Sequence, residues 1–197
     1  GLAGLLTRHK TERIARDSRR LLDSPTLQAS VGGRHRRMSN RYPRWTNLEF
    51  LEFCHPRIRA IYDYWNEKRG DRKMPRRTDI DPLEMPSYLP GIVMVDVGYE
   101  PFSLTYRLVG TREAEARGAD PTGKSVFEAW DGRSEDDVIE NYRQVIARKA
   151  PLYDGDRTLD PEREWLEAGT VFLPLSDDGE TVNKIIVFFA FRDVLDP

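Results

Sequence analysis

Apolar and other residues alternate from Phe102 to Leu108, with Phe102, Leu104, Tyr106 and Leu108 on one side. That period of two predicts a half-buried strand. Gly110 stops the pattern, and Arg112 to Gly118 predicts a short helical turn that ends in Gly118-Ala-Asp120-Pro-Thr-Gly123. A strand that breaks into small helices held by glycine and Asp/Thr turns builds the lip of a concave pocket, which suits sensing or binding more than bond-breaking. Ile92 to Val97 is an apolar run bounded by Pro90 and Gly98 and suits a central strand. Tyr99-Glu-Pro101 is the turn that joins the two strands as a hairpin.

Upstream, Thr46-Asn-Leu-Glu49 has the form of a capping box. Leu51, Cys54, Ile58, Ile61 and Trp65 follow in steps of three and four, flanked by Phe50, Phe53 and Tyr62, so a helix is expected over 47–69, stopped by Gly70. Its apolar face must cover the body's sheet or pair with the same helix of a second copy through Leu51, Ile58 and Trp65. Asp81-Pro82-Leu-Glu84 starts a short helix with Asp81 as cap. Ser125 to Trp130 reads as one helical turn. Ser134-Glu-Asp-Asp137 opens a longer helix that ends near Lys149, with Val138, Tyr142, Val145 and Ile146 on one face and acidic residues at its positive end. Three strands follow, over 152–159, 164–175 and 181–191, the last two joined by a hairpin turn at Ser176-Asp-Asp-Gly179. Two strands, short helices, one long helix and three strands define an α+β domain with a five-stranded, mainly antiparallel sheet.

Composition divides the chain. Residues 1–45 hold eleven Lys/Arg against three Asp/Glu, and the rest holds twenty against thirty. The arm is read as a basic, disordered segment, and residues 46–193 as one domain. Clustered arginines would let the arm tether nucleic acid or acidic lipid; a merely solvated tail, an organelle-targeting segment and translation from Met38 are the competing readings. No apolar run reaches the roughly 18 residues of a membrane span. A single cysteine, Cys54, forms no internal disulfide, which fits a reducing, cytoplasmic compartment.

The chain resembles short, stand-alone bacterial PAS-type proteins. The likeness rests on Tyr64-Trp65, Asp79-Ile-Asp-Pro82, Leu89-Pro90, Tyr106-Arg-Leu-Val-Gly-Thr111, Gly118-Ala-Asp-Pro-Thr-Gly123 and Leu173-Pro-Leu-Ser-Asp-Asp-Gly179, spanning about residues 48–191. The resemblance implies a PAS fold and a sensory or regulatory domain that binds a small molecule or a signalling partner. It names no ligand.

The chemistry-bearing residues narrow this further. A haem-binding PAS domain needs an axial ligand on the long helix or nearby strands, whereas His9, His35 and His55 all precede the first strand. A photosensory flavin domain needs a cysteine beside the flavin, and Cys54 lies upstream, read as a buried helix residue. Haem and photoactive flavin are both disfavoured. Asp154-Gly-Asp156 with Asp160, Glu162 and Glu164 lacks the spacing of a Ca²⁺ loop. No nucleophile elbow, phosphate loop or zinc-protease motif occurs, and the body lacks a histidine to activate a nucleophile. The domain is therefore read as non-enzymatic, with a carboxylate-based enzyme and a ligand-free adaptor as alternatives. Tyr106, Arg107, Trp130 and Tyr142 are the candidate ligand contacts. Arg107 is either a guanidinium at the pocket rim or a partner of Asp120, and Trp130 and Tyr142 are either pocket walls or core. Gly110, Thr111, Gly118, Asp120 and Gly123 are the structural turn residues.

Overall fold

The computed structural model describes residues 44–129, 135–155 and 165–193. Six strands form one antiparallel sheet: β1 (Arg44–Trp45), β2 (Ile92–Tyr99), β3 (Phe102–Val109), β4 (Leu152–Asp154), β5 (Trp165–Leu175) and β6 (Lys184–Asp193), in the order β1-β4-β5-β6-β2-β3. Among the described residues four α-helices accompany it: α1 (Pro56–Arg69), α2 (Thr111–Arg117), α3 (Val126–Ala129) and α4 (Glu135–Arg148). The α+β class and the β2–β3 hairpin are as expected. The sixth strand is the correction: Arg44 and Trp45, assigned to the arm, pair with Asp154 and Tyr153 and belong to the sheet. Residues 1–43 lie outside the described residues, as do 156–159 of the expected 152–159 strand.

The expected 47–69 helix is interrupted. A 3-10 turn covers Leu48–Glu52, its cap Asn47 makes no side-chain hydrogen bond, and no Thr46–Glu49 capping box forms. The α-helix starts only at Pro56. Proline lacks an N–H and holds the preceding residue extended; His55 accordingly has ψ 140° and caps α1, its Nδ1 accepting from the Arg57 amide at 3.2 Å. Cys54 lies in the bend between the two segments, half-buried, and burial raises its thiol pKa. It is not a helix residue.

The register fixes which side chains share a face, because paired residues point the same way. Val171, Leu173, Ile186, Phe188, Ile92 and Met94 form one face. Helix α1 covers it: Trp65 donates its indole N–H to the Pro174 carbonyl at 2.9 Å, and Arg57 lies over the Phe188 ring. Ile58, Ile61 and Trp65 are thereby buried in their own chain, so they are not available to a second copy. Phe172, Val187, Ile185, Val93 and Val95 form the other face, where Tyr142 of α4 meets Phe172 edge-on at 5.3 Å. Covered on both sides, β5 is buried from Val171 to Leu175.

The strings that carry the resemblance meet in space. The Tyr64 hydroxyl accepts from the Asp81 amide at 2.9 Å and donates to Glu84 at 2.8 Å. Asp81 caps the 3-10 turn Pro82–Glu84 as expected. Gly110 donates its N–H to the Ile92 carbonyl at 2.7 Å, and a Cβ there would collide with the Leu89 and Pro90 carbonyls. The β5–β6 connection is wider than a tight hairpin turn, running from Ser176 to Asn183. Its organiser is the Asp178 carboxylate, which accepts from the Glu180 and Thr181 amides and the Ser176 hydroxyl.

Candidate functional site

Strand β3 aims its side chains through a bulge. Met94 pairs with Leu108 and Val95 with Tyr106, leaving Arg107 as the extra residue. Phe102, Leu104 and Tyr106 therefore face the α4 side and are buried, while Leu108 turns to the other face and is exposed. Arg107 is itself exposed. Asp120 does not meet it: its Oδ1 accepts from the Thr122 amide at 2.9 Å and from the Thr122 hydroxyl at 2.6 Å, closing a local turn. The Arg107–Asp120 pair is therefore not formed. Thr111 opens α2 with Gly110 as its cap. Gly118 (φ 70°) ends that helix and Gly123 (φ 83°) closes the next turn.

The guanidinium that does enter the interior is Arg117. On α2, four residues after Glu113, it forms an ion pair with Nε–Oε1 2.7 Å and side-chain exposures of only 15% and 7%. Its Nη1 also donates to the Tyr106 hydroxyl and the Ala129 carbonyl, each at 3.3 Å, and its guanidinium lies 5.3 Å from the centre of the Tyr106 ring. One side chain thus joins α2, α3 and β3. Burial disfavours its charge, but Glu113, Tyr106 and Tyr142 outweigh burial and raise its pKa. Tyr142 is buried close enough to feel all three. Desolvation first, and the neighbouring Tyr106 and Glu113 oxygens next, push its hydroxyl well above the ordinary range, so it stays protonated. Tyr106 and Tyr142, two of the four candidate ligand contacts, both lie buried beside this ion pair; Trp130 lies outside the described residues.

Glu113 and Arg117 went unnoticed because an i,i+4 Glu/Arg pair usually decorates an exposed helix face. The available signal was Thr111-Arg-Glu-Ala-Glu-Ala-Arg117, a helix flanked by glycines that holds no large apolar side chain. If such a helix lies on a sheet, the stems of its charged residues must fill the contact.

A second polar cluster is built on Asn141, the residue of α4 next to Tyr142. Asn141 donates from Nδ2 to Asp154 Oδ2 at 2.7 Å and accepts from Arg44 Nε, with Asn141 and Asp154 both buried. Asp154, considered as part of an acidic metal loop, is held here instead; Asp156, Asp160, Glu162 and Glu164 lie outside the described residues. Among the described residues no group of three His, Cys, Asp or Glu is placed to hold a metal ion, and no helix is long and apolar enough to cross a membrane.

An antiparallel sheet with one long helix and two short ones over one face, and an additional helix over the other, defines an α+β domain. The family model described as a PAS domain matches residues 53–189. The chain belongs to that family, whose members are sensory and regulatory signalling domains. No curated protein matches. Four chains of solved structures do, among them one titled "Structure of an RNA-binding Light-Oxygen-Voltage Receptor", 11% identical at a TM-score of 0.37, with 59% of this chain and 35% of that chain covered. The present chain thus spans about a third of that receptor.

Proposed function

We propose that this domain is a non-enzymatic, cytoplasmic sensor in which a small ligand engages the polar cluster of Tyr106, Glu113, Arg117 and Tyr142 and passes the signal to a partner protein through α4. The observation that carries this reading is the Arg117–Glu113 pair, buried on the sheet face beneath the domain's two shortest helices. Burying an ion pair costs desolvation that well-packed apolar residues would avoid, so it is a poor way to gain stability alone. It is a good way to hold a replaceable contact. A ligand anion exchanges with Glu113 at the guanidinium, or a ligand cation with Arg117 at the carboxylate, and either frees α2 from α3 and β3. Such a ligand must bind the two arrangements with different affinity; an equal preference shifts nothing.

The carboxylates favour binding over catalysis: Glu113 is held by Arg117 and Asp154 by Asn141. A ligand-free adaptor draws support from Leu48, Phe53, Leu83 and Leu108, large apolar side chains left exposed, although isolated exposed leucines are ordinary. Native mass spectrometry of freshly purified protein separates the two. The sensor reading expects a retained small mass that is released on denaturation. The bare polypeptide mass in every preparation would favour the adaptor.

A further inference from the structure

The two polar clusters are joined by adjacent residues of one helix. Tyr142 belongs to the inner cluster, and Asn141 beside it holds β1 through Arg44 and Asp154. We propose that the Arg44–Asn141–Asp154 triad is a latch that couples the inner cluster to the docking of β1. The proposal rests on the sensor reading and supplies its output.

The chemistry at the latch is matched. A guanidinium only donates and a carboxylate only accepts, and a carboxamide set between them does both. Asn141 in α4 therefore reads the position of β1 on one side and of β4 on the other. Among the described residues β1 adds two pairs to the ladder, Arg44 with Asp154 and Trp45 with Tyr153. Side-chain anchors strengthen so short a described pairing. Trp45 supplies the second anchor: it meets Phe53 edge-on at 5.0 Å and Tyr153 at 5.5 Å, and a Cβ at Gly155 would collide with its ring. A small rotation or shift of α4 that accommodates a ligand at Tyr142 also moves the Asn141 carboxamide. The triad then loses its geometry, and β1 is released from β4.

The test is amide-resolved hydrogen exchange of the full chain. Arg44→Ala is expected to speed exchange at the β1–β4 amides by roughly tenfold or more, the value of one hydrogen bond to a charged group, with the Leu173–Ile186 region unchanged. Arg117→Met, which alters only the inner cluster, is expected to speed the same β1–β4 amides severalfold, again without the centre of the sheet. Should Arg117→Met fold poorly, Glu113→Gln serves in its place. No acceleration at β1–β4 in Arg117→Met or Glu113→Gln, or an equal acceleration across the whole sheet, overturns the coupling. An unaltered β1–β4 rate in Arg44→Ala overturns the latch. Absence of a retained ligand by native mass spectrometry, with the exchange pattern as expected, refutes the ligand reading but leaves the latch standing.

Discussion

The two faces of the sheet solve the same burial problem with opposite chemistry. Beneath α1 the contact is mainly aromatic and aliphatic, with the Trp65 indole donating to the Pro174 carbonyl and Arg57 lying over the Phe188 ring. Beneath α2, α3 and α4 the contact includes a buried ion pair and two tyrosine hydroxyls. An apolar seam gains stability in proportion to the area it hides. A buried charge network gains little net stability but admits two arrangements whose energies a ligand can reorder. The α1 face is therefore the foundation of the domain, and on the sensor reading proposed above the α4 face is where the signal enters.

The comparison breaks first at Trp65. Trp65→Ala should cost about 4 kcal/mol in urea denaturation, enough to unfold much of the population. Ile58→Asp should likewise unfold the domain rather than split a dimer in sedimentation, because Ile58 is wholly buried within the chain. On the other face, Glu113→Gln should cost about 3 kcal/mol by leaving Arg117 without its carboxylate, and adding Arg117→Met should recover at least half of that. Strictly additive losses would show that the two do not act as a unit.

A change of pH sharpens the contrast from outside both faces. Asp178 is held well below the usual carboxylate range, chiefly by the Thr181 amide and then by the Glu180 amide. Its folded pKa is depressed, so its stabilisation is complete above the unfolded value and is lost as pH falls below about 4. Wild-type stability should drop more steeply over that interval than that of Asp178→Asn, as read from denaturation midpoints at each pH. The smallest effect belongs to Arg107→Ala: at an exposed bulge, the change should stay within about 0.5 kcal/mol and leave the ligand mass in native spectra untouched.

The architecture was legible where periodicity and punctuation agree. The β2–β3 hairpin, the long helix carrying Tyr142 and the Asp81 cap all lie where alternation, apolar spacing and turn residues place them. Two local features were misjudged because a long-range pattern overrode a local rule. The spacing from Leu51 to Trp65 suggested one helix, and Pro56 divides it. Alternation suggested that Leu108 faces inward, and the bulge at Arg107 reverses it. The site was half legible. Aromatic residues on known faces can be placed from period alone, which brought out Tyr106 and Tyr142. Arg117 and Glu113 enter the interior only because the helix between them lacks apolar bulk, and Arg44 gains its role from a partner 97 residues away.

The most direct test of the central claim is amide chemical-shift mapping of the full chain during titration with a library of small carboxylates and amines. The account predicts perturbations that cluster at Tyr106, Glu113, Arg117 and Tyr142 and vanish in Arg117→Met. Perturbations centred on the α1 face, or unchanged in Arg117→Met, would contradict it.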